Sequence, residues 1–514
     1  MIWVKASQVS YDNEIAELVK VFYPGEQVAA LSKSGLGVED GKIHADLPVE
    51  DMVLETGYTR EHSDSLVFFA FMQRGGTLLC EHKQAVPIQS MKDIVPEAGQ
   101  TRKSNRLIKN GLKGCVFDLL TRHTGKHPKW GAMTGIRPVK LVHEMRSRGL
   151  NEADTRQELL QVYKLHPEKA DLLMRIADIQ KPLLDHREDK KASVYIHIPF
   201  CSSRCHYCSF PSDLISRVND KMQAYLECLG LEIAAVMEAL QRKGAQVDTV
   251  YIGGGTPTVL EHSHLEKLLK LVRQEILDRF PIREYTVEAG RPDSLDYRKL
   301  LQLKEYGVNR LSINPQSMNQ ETLDLIGRKH TVEELVQVCR QAREIGFDCI
   351  NMDVILGLPG ETGEHMEHTM KEIAALHPEN ITVHTLAVKR ASAFKESFAQ
   401  YDPSRKGLAE EMADVCQKWI DKLGMAPYYL YRQKYMLDHL ENTGYAVPGK
   451  ECLYNIHFMD EKRDIWAFGA GASSKIYYPR EDRLERIANV KNLDEYLSRI
   501  GEMIEKKQNV LRSG

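Results

Sequence analysis

Long apolar runs are missing from this 514-residue sequence. No stretch approaches the roughly 18 apolar residues of a membrane-spanning helix, so we expect no membrane partner. The start of the chain, Met1–Lys5, lacks the basic segment and apolar run of a secretory signal. The net charge is only −3, and bulk charge therefore favours no particular partner. These absences predict a cytoplasmic protein, which at this length has roughly two to four domains.

Internal repeats and low-complexity tracts are also missing. The chain has ten cysteines. Seven of them are scattered: Cys80, Cys115, Cys228, Cys339, Cys349, Cys416 and Cys452. In a reducing compartment such residues are usually small buried hydrophobic side chains. The other three, Cys201, Cys205 and Cys208, lie within eight residues of each other, and burial alone does not explain that spacing.

We expect residues 1–185 to form an accessory region. Short apolar runs such as Leu66–Met72 alternate with polar turns, which indicates an α+β structure. Residues 101–148 carry twelve Lys and Arg but only two acids. This stretch is interpreted either as a solvated basic face or as an anion site for RNA phosphate or substrate carboxylates. A Gly-rich turn at residues 130–138 leads into a predicted helix, and the polar run Asp185–Ala192 predicts a linker.

From residue 193 onward, strand-like runs alternate with segments of helical periodicity. The predicted strands are Val194–Ile198, Thr249–Ile252, Glu284–Glu288, Arg310–Asn314, Cys349–Ile355 and Ile381–Leu386. Six such units predict a parallel sheet that curves into a partial barrel. In such barrels the chemistry gathers at the carboxyl ends of the strands, which is where the following motifs lie.

The three clustered cysteines directly follow the first strand with the spacing C-x3-C-x2-C. An iron–sulfur cubane normally takes four thiolates, so three leave one iron open, as a catalytic centre requires. Zinc is the alternative, but it needs a fourth ligand, and His206 inside the loop is poorly placed to provide it. The second strand ends in the Gly-rich turn Gly253–Thr258, whose backbone can approach a small polar ligand closely.

Tyr195–Cys201, the cysteine loop and Gly253–Thr258 resemble the oxygen-independent coproporphyrinogen III oxidase family of radical S-adenosylmethionine (SAM) enzymes. Further segments match in order: Thr286–Glu288, Gly307–Ser312, Asp353–Thr362 and Phe468–Ser473. The long N-terminal extension and Pro448–Asn455 look like the HemZ-type branch, coproporphyrinogen dehydrogenase. The resemblance implies an α/β fold with three parts. The N-terminal α+β region occupies residues 1–185, a radical SAM partial (β/α)6 barrel residues 186–390, and a C-terminal α+β domain residues 391–514.

The same resemblance implies roles for individual residues. Cys201, Cys205 and Cys208 would bind a [4Fe–4S] cluster, and Tyr195 would act beside them at the catalytic centre. One or two SAM molecules would contact Tyr195, Tyr207, Gly254, Gly255, Thr256, Glu288, Gln316, Arg328, Asp353, Ala387 and Ser473. Considered alone, Arg328 would be a solvated cation and Asp353 a strand-end cap, but the ordered series of motifs favours cofactor contacts.

The family reaction implies a function. The reduced cluster splits SAM, the resulting radical takes a hydrogen from a propionate side chain of coproporphyrinogen III, and loss of CO2 and an electron leaves a vinyl group. Two rounds give protoporphyrinogen IX. Arg137, Arg291 and Arg310 are candidates to bind the substrate carboxylates. A monomer with a donor such as flavodoxin or ferredoxin is expected, and nucleic acid is not an expected partner.

Two departures from the family pattern leave the substrate open. Phe210 stands where the best-known members have a fourth cysteine, and residues 314–316 are Asn-Pro-Gln where Gly-Val-Gln is more usual. One alternative is a haem-binding trafficking protein, a haem chaperone of the same family. The other is a radical SAM enzyme that acts on RNA.

The cysteine assignment predicts the result of single replacements. Cys205→Ala removes one of only three thiolates, so the anaerobically purified variant should lose its brown colour and the electron paramagnetic resonance signal of the reduced cluster. Cys228→Ala is the control and should keep both. Tightly bound zinc without iron in the unchanged protein would contradict the assignment.

Overall fold

The computed structural model describes residues 1–6, 11–31, 38–39, 42–43, 48–62, 65–87, 102–184, 191–387, 407–434 and 436–513. The chain forms two compact units, Met1–Arg175 and Ile176–Gly514. Most of the predicted linker and the predicted boundary between residues 390 and 391 lie outside the described residues. Lys191 and Ala192, placed in the linker by the sequence, belong to a strand. The division into three domains stays a prediction.

The first unit is an α+β structure, as predicted. Its strands are β1 (Ile2–Ala6), β2 (Val28–Ala30), β3 (Val38–Glu39), β4 (Lys42–Ile43), β5 (Met52–His62), β6 (Ser65–Arg74) and β7 (Thr77–Pro87). Its helices are α1 (Asp12–Phe22), α2 (Arg102–Thr124), α3 (Val139–Ser147) and α4 (Glu152–Gln161), while α5 (Pro167–Gln180) crosses the boundary to the second unit. The main sheet has the order β2-β1-β5-β6-β7. A Cβ on Gly111 of α2 would lie 2.2 Å from the Phe68 ring of β6, so the helix backbone packs directly on the sheet.

The basic stretch lies on α2, α3 and the residues between them. Arg106 donates to the Tyr163 hydroxyl at 2.9 Å and pairs with Glu144. Lys109 pairs with Glu14 at 2.9 Å. Arg106 and Lys109 are thus paired with acidic side chains of their own unit. This pairing favours an ordinary solvated face over an RNA site.

The second unit is built on one eleven-stranded sheet with the order β16-β17-β15-β14-β13-β12-β11-β8-β18-β19-β20. Its strands are β8 (Lys191–Ile198), β9 (Phe200–Cys201), β10 (Asp213–Leu214), β11 (Gln246–Gly254), β12 (Glu284–Glu288), β13 (Arg310–Ser312), β14 (Ile350–Leu356), β15 (Asn380–Thr385), β16 (Ala426–Tyr431), β17 (Asn442–Ala446), β18 (Asp464–Phe468), β19 (Ser473–Tyr478) and β20 (Arg483–Ala488). Its helices are α6 (Ile215–Val218), α7 (Met222–Arg242), α8 (His262–Val272), α9 (Tyr297–Glu305), α10 (Gln320–Leu325), α11 (Val332–Ile345), α12 (Gly363–Ala375), α13 (Leu408–Lys422), α14 (Leu453–Asp460), α15 (Leu493–Ser498) and α16 (Ile500–Ser513).

The six predicted strands are confirmed as β8 and β11–β15, which pair in parallel and in chain order. The later strands do not form a separate sheet. β17 pairs antiparallel with β15, and β18 pairs in parallel with β8, so the C-terminal segment extends the barrel sheet at both sides. This arrangement confirms the predicted α/β fold with a partial barrel. Within the described ranges, no helix is both long and apolar enough to cross a membrane.

The two faces of the barrel sheet differ in chemistry because strand side chains alternate. On β8, Val194 and Ile196 are fully buried in the apolar core beneath the helices. Tyr195 and His197 therefore lie on the opposite side, the inner face. The same alternation puts Glu288 on this inner face, since its neighbour Val287 belongs to the apolar core. The active-site side chains are accordingly expected where the inner face meets the carboxyl ends of the strands, the carboxyl edge.

A fully buried ion pair fixes the C-terminal helix. Lys507 of α16 and Glu232 of α7 have no exposed side-chain surface. The Glu232 carboxylate also accepts from the Tyr496 hydroxyl at 2.7 Å, the Asn489 amide at 2.7 Å and the Gly469 backbone N–H at 2.9 Å. A buried carboxylate needs such donors because its desolvation is costly. The network ties α16 to the loop that follows β18.

Removal of the cation from this pair predicts a large loss of stability. Lys507→Met leaves Glu232 buried without its counter-charge, which typically costs about 3–5 kcal/mol. Urea unfolding should show this loss, whereas the exposed neighbour substitution Lys506→Met should change stability by less than about 0.5 kcal/mol. Equal effects of the two substitutions would contradict the assigned role of the pair.

Candidate active site

The glycine turn Gly253–Thr258 is hydrogen-bonded to the backbone of the segment that leads from β8 to the cysteines. The Gly255 N–H donates to the Ile198 carbonyl at 2.8 Å, and the Thr256 N–H donates to the Phe200 carbonyl at 2.7 Å. A Cβ on Gly255 would lie 2.4 Å from the Phe200 carbonyl oxygen. Only glycine permits this approach, which brings the two sequence motifs side by side at the carboxyl edge.

The sequence suggests that Gly254 lacks a side chain so that a ligand can approach its backbone. In the structure, the His197 ring occupies the space that a side chain would need. The φ of Gly254 is +114°, and a Cβ there would lie 2.2 Å from the His197 ring. Its N–H donates to Glu288 Oε2 at 3.0 Å. Protein atoms thus occupy the space beside this glycine, and its predicted contact with SAM stays a prediction.

The three cysteines share one loop, and two of them receive hydrogen bonds from outside it. Cys201 Sγ accepts from the Thr256 hydroxyl at 3.6 Å, and Cys205 Sγ accepts from Arg291 Nη1 at 3.7 Å. Burial raises the pKa of the Cys208 thiol, and the neighbouring sulfurs of Cys205 and Cys201 raise it further. The three sulfur atoms are therefore near enough to influence one another electrostatically.

The donor set fits a [4Fe–4S] cluster better than zinc. In the part of the chain that the structure describes, no three Cys, His, Asp or Glu side chains are grouped to hold a metal ion. A single zinc ion needs each thiolate about 2.3 Å from one point, whereas a cubane distributes three thiolates over three iron atoms. Cys201, Cys205 and Cys208 would hold the cluster, and Thr256 and Arg291 would donate to two of its thiolates.

Glu288 forms the centre of a tyrosine-lined part of the inner face. Its Oε1 accepts from the Tyr251 hydroxyl at 2.6 Å. Burial raises the pKa of Glu288 to about 7, although its two hydrogen bonds oppose the shift. The Tyr251 ring lies 4.5 Å from the Tyr454 ring and 6.1 Å from the Tyr195 ring, both stacked. This part of the site offers flat aromatic surface together with one titratable carboxyl group.

Arg328 is buried and is not a solvated cation. Its Nη1 donates to the carbonyls of Gly290 and Asn314, both at 2.9 Å, and its Nη2 donates to the Tyr207 hydroxyl at 3.1 Å. These contacts link the cysteine loop to the loops after β12 and β13. The structure thus brings Arg328 and Tyr207 together, and their contact with SAM stays a prediction.

Gln316 has two features of a ligand-binding residue. It adopts φ +67°, which is unusual outside glycine and costs energy. Its N–H donates to the Asp353 carbonyl at 2.9 Å, which fixes this strained position. Within the described residues, its buried Oε1 has no hydrogen-bond partner. A buried acceptor left open in this way fits a polar group such as the amino group of SAM.

Asp353 belongs to a polar chain across the inner face. Burial alone would raise its pKa, but His384 and Asn351 hold the pKa of Asp353 below its usual value. The Asn351 amide donates to Asp353 Oδ1 at 2.7 Å. Asp353 is therefore ionised at neutral pH, and it is more than a strand-end cap.

The remaining candidates are less closely connected. Ala387 forms a bridge with Met436, and Ser473 lies exposed at the start of β19. Among the described contacts, neither joins the hydrogen-bonded set around Glu288 and Asp353.

Arg310, a candidate for substrate binding, is the first residue of β13 and lies at the edge opposite the carboxyl edge. It donates to the Lys450 carbonyl at 2.9 Å. This position does not favour Arg310 as a ligand of the substrate carboxylates, and that contact stays a prediction.

The structure also locates two further arginine candidates for substrate binding and one histidine of the inner face. Arg137 belongs to the first unit. Arg291 pairs with Asp293 at 3.0 Å, so its charge is already compensated. His197 lies in the matching segment Tyr195–Cys201, and the sequence assigned it no role. The structure buries it, with its Nδ1 2.6 Å from the Ala470 carbonyl oxygen. The alternation of side chains along the strand, with Val194 and Ile196 on the other face, was the signal in the sequence that could have placed it on the same face as Tyr195.

The raised pKa of Glu288 predicts a pH-dependent stability. The folded protein holds this proton up to about pH 7, whereas an unfolded Glu has its ordinary pKa of 4.5 and releases the proton there. The stabilisation by Glu288 is therefore complete below pH 4.5 and is lost as the pH rises through 7. The unfolding free energy of the unliganded protein should fall more between pH 5 and pH 7.5 than that of Glu288→Gln. Parallel urea-unfolding curves for the two proteins at both pH values would contradict this.

Comparisons with known proteins agree with this geometry. Residues 195–373 match the family model described as the radical SAM superfamily. The chain is 36% identical over 482 residues to the oxygen-independent coproporphyrinogen-III oxidase-like protein HemZ of Bacillus subtilis, covering 92% of this chain and 96% of that protein. It is also 33% identical over 290 residues to the heme chaperone HemW of the same organism, covering 55% and 71%.

Solved structures include coproporphyrinogen III oxidase (HemN) of Escherichia coli, which matches with a TM-score of 0.49 and 25% identity over 64% of this chain and 73% of that one. The similarity to HemZ extends over nearly its whole length, and the radical SAM match contains the cysteine loop, the glycine turn and Glu288. The chain therefore belongs to the oxygen-independent coproporphyrinogen III oxidase family of radical SAM proteins, and its cofactors are a [4Fe–4S] cluster and SAM.

Proposed function

We propose that this protein converts propionate side chains of coproporphyrinogen III to vinyl groups and so forms protoporphyrinogen IX. One observation carries the proposal. The cysteine loop and the glycine turn open onto an inner face whose walls combine stacked tyrosine rings with ionisable side chains. Aromatic rings suit the flat pyrrole groups of such a substrate, and the ionisable groups suit its carboxylates.

The cofactors supply the difficult chemistry, because the bound cluster and SAM provide a one-electron route to hydrogen abstraction from an unactivated carbon. The protein residues have positioning roles. Cys201, Cys205 and Cys208 would hold the cluster, while Gln316 and Glu288 would orient SAM through polar contacts. Tyr195, stacked on Tyr251, would limit the access of water to the reacting groups.

We further propose a monomer that works in the cytoplasm and takes electrons from a small carrier such as flavodoxin or ferredoxin. Arg204 and His206 of the cysteine loop are exposed. They would give such a carrier access to the loop that holds the cluster.

A haem chaperone is the second candidate function. The support for it is the 33% identity to the heme chaperone HemW over the core of the chain, together with Phe210 in place of a fourth cysteine. Phe210 is 65% exposed, so it does not fill the position of a buried ligand. A carrier would bind haem tightly and would not need to consume SAM for each molecule of porphyrinogen.

An anaerobic assay separates the two functions. The reconstituted protein with SAM, a strong reductant and coproporphyrinogen III should form protoporphyrinogen IX and 5′-deoxyadenosine together. Cys205→Ala should form neither product, since it lacks one of the cluster thiolates. Stoichiometric haem binding without any decarboxylated product would contradict the proposal and support the chaperone.

A further inference from the structure

A chain of three polar side chains crosses the inner face on the side away from the cysteines. His384 of β15 places its Nε2 3.5 Å from Asp353 Oδ2 of β14. Its Nδ1 lies 3.4 Å from the Tyr431 hydroxyl at the end of β16. The His384 side chain is 26% exposed and that of Asp353 18%. The imidazole therefore lies between the Asp353 carboxylate and the Tyr431 hydroxyl, and part of the ring stays accessible from the inner face.

Both contacts of His384 are longer than the 2.7–3.2 Å of ordinary N–H···O hydrogen bonds, so neither fully satisfies the ring. Asp353 faces Nε2, which leaves Nδ1 beside the Tyr431 hydroxyl. An imidazole with a carboxylate at each ring nitrogen donates through both nitrogens. A ligand carboxylate placed against Nδ1 and the Tyr431 hydroxyl, which lie 3.4 Å apart, would therefore accept from an N–H and an O–H donor.

The surroundings of this pair restrict the class of ligand. The Tyr431 ring stacks on the Tyr429 ring, with centroids 6.4 Å apart and planes at 12°. A ligand with a flat apolar body and a carboxylate matches this combination of an aromatic wall with an N–H and an O–H donor.

We propose that His384 and Tyr431 form a carboxylate-binding subsite on the active-site wall, and that it takes a propionate group of the substrate. The identity of the propionate rests on the proposed function, whereas carboxylate binding rests on the donor geometry. Asp353 faces Nε2 of the His384 ring, and His384 Nδ1 and the Tyr431 hydroxyl present the donors to the ligand. The competing role for His384 is to position Asp353 toward SAM, and the two roles differ in which ligand is lost on substitution.

Equilibrium binding tests the subsite without requiring turnover. The reconstituted holoenzyme is titrated with fluorescent coproporphyrin III and, separately, with its tetramethyl ester, which lacks the charged carboxylates. The wild type should prefer the free acid. His384→Gln should weaken binding of the acid by about tenfold or more, because the imidazole donor is lost, and Tyr431→Phe by about threefold to tenfold. Neither substitution should change binding of the ester.

Two controls accompany these variants. SAM affinity, measured on the same preparations, should fall by less than the affinity for the acid, because the donors that are removed face the carboxylate of the ligand. His368→Gln makes the same chemical change on an exposed face of α12 and should leave acid binding unchanged. If His384→Gln fails to fold, Tyr431→Phe still tests the subsite, since it removes one hydroxyl and keeps the ring.

Equal affinity of the wild type for acid and ester, or binding of neither, would overturn the subsite. A His384→Gln protein that loses SAM affinity but keeps acid binding would also overturn it, in favour of a positioning role toward Asp353. Selective acid binding that depends on His384, without any decarboxylated product in the anaerobic assay, would leave the subsite intact and reject the proposed function.

Discussion

The attachment of the glycine turn to β8 is the constraint on which the site depends. Two backbone hydrogen bonds, from Gly255 to Ile198 and from Thr256 to Phe200, set the turn against the residues that precede Cys201. A side chain at Gly255 would collide with the Phe200 backbone, so any such change would separate the two motifs. Because β8 also pairs with β18 on its other side, the loop after β18 is positioned by the same strand.

The C-terminal segment completes the inner face. Glu284, at the start of β12, accepts from the N–H groups of Leu453 and Tyr454 at 2.7 and 3.0 Å. A carboxylate at the N-terminus of a helix satisfies free donors and interacts favourably with the helix dipole. This cap orients α14 so that Tyr454 stacks on Tyr251. The aromatic wall of the site is therefore determined by an anchor at the opposite edge of the barrel sheet.

The sequence predicted the parts of this structure that follow from local pattern. Strand-like runs alternating with helical segments predicted the six parallel strands, and the spacing of Cys201, Cys205 and Cys208 predicted their common loop. The sequence could not predict that the β16–β17 pair and β18 join opposite sides of one sheet, because strand pairing over such separations leaves no local signal. The contact of His384 with Tyr431 depends on that pairing, and so it was missed. The predicted strand already began at Arg310, but no local pattern indicated that its guanidinium would donate to the Lys450 carbonyl, 140 residues away in the sequence.

Three thiolates would leave one iron of the cluster open for SAM at the carboxyl edge. The decisive measurement is electron–nuclear double resonance on the reduced protein, with SAM labelled by ¹⁵N in the amino group and ¹⁷O in the carboxylate. If SAM binds the open iron, both labels should show strong hyperfine coupling to the cluster. A cluster whose signal shows no coupling to either label in the presence of saturating SAM would contradict it.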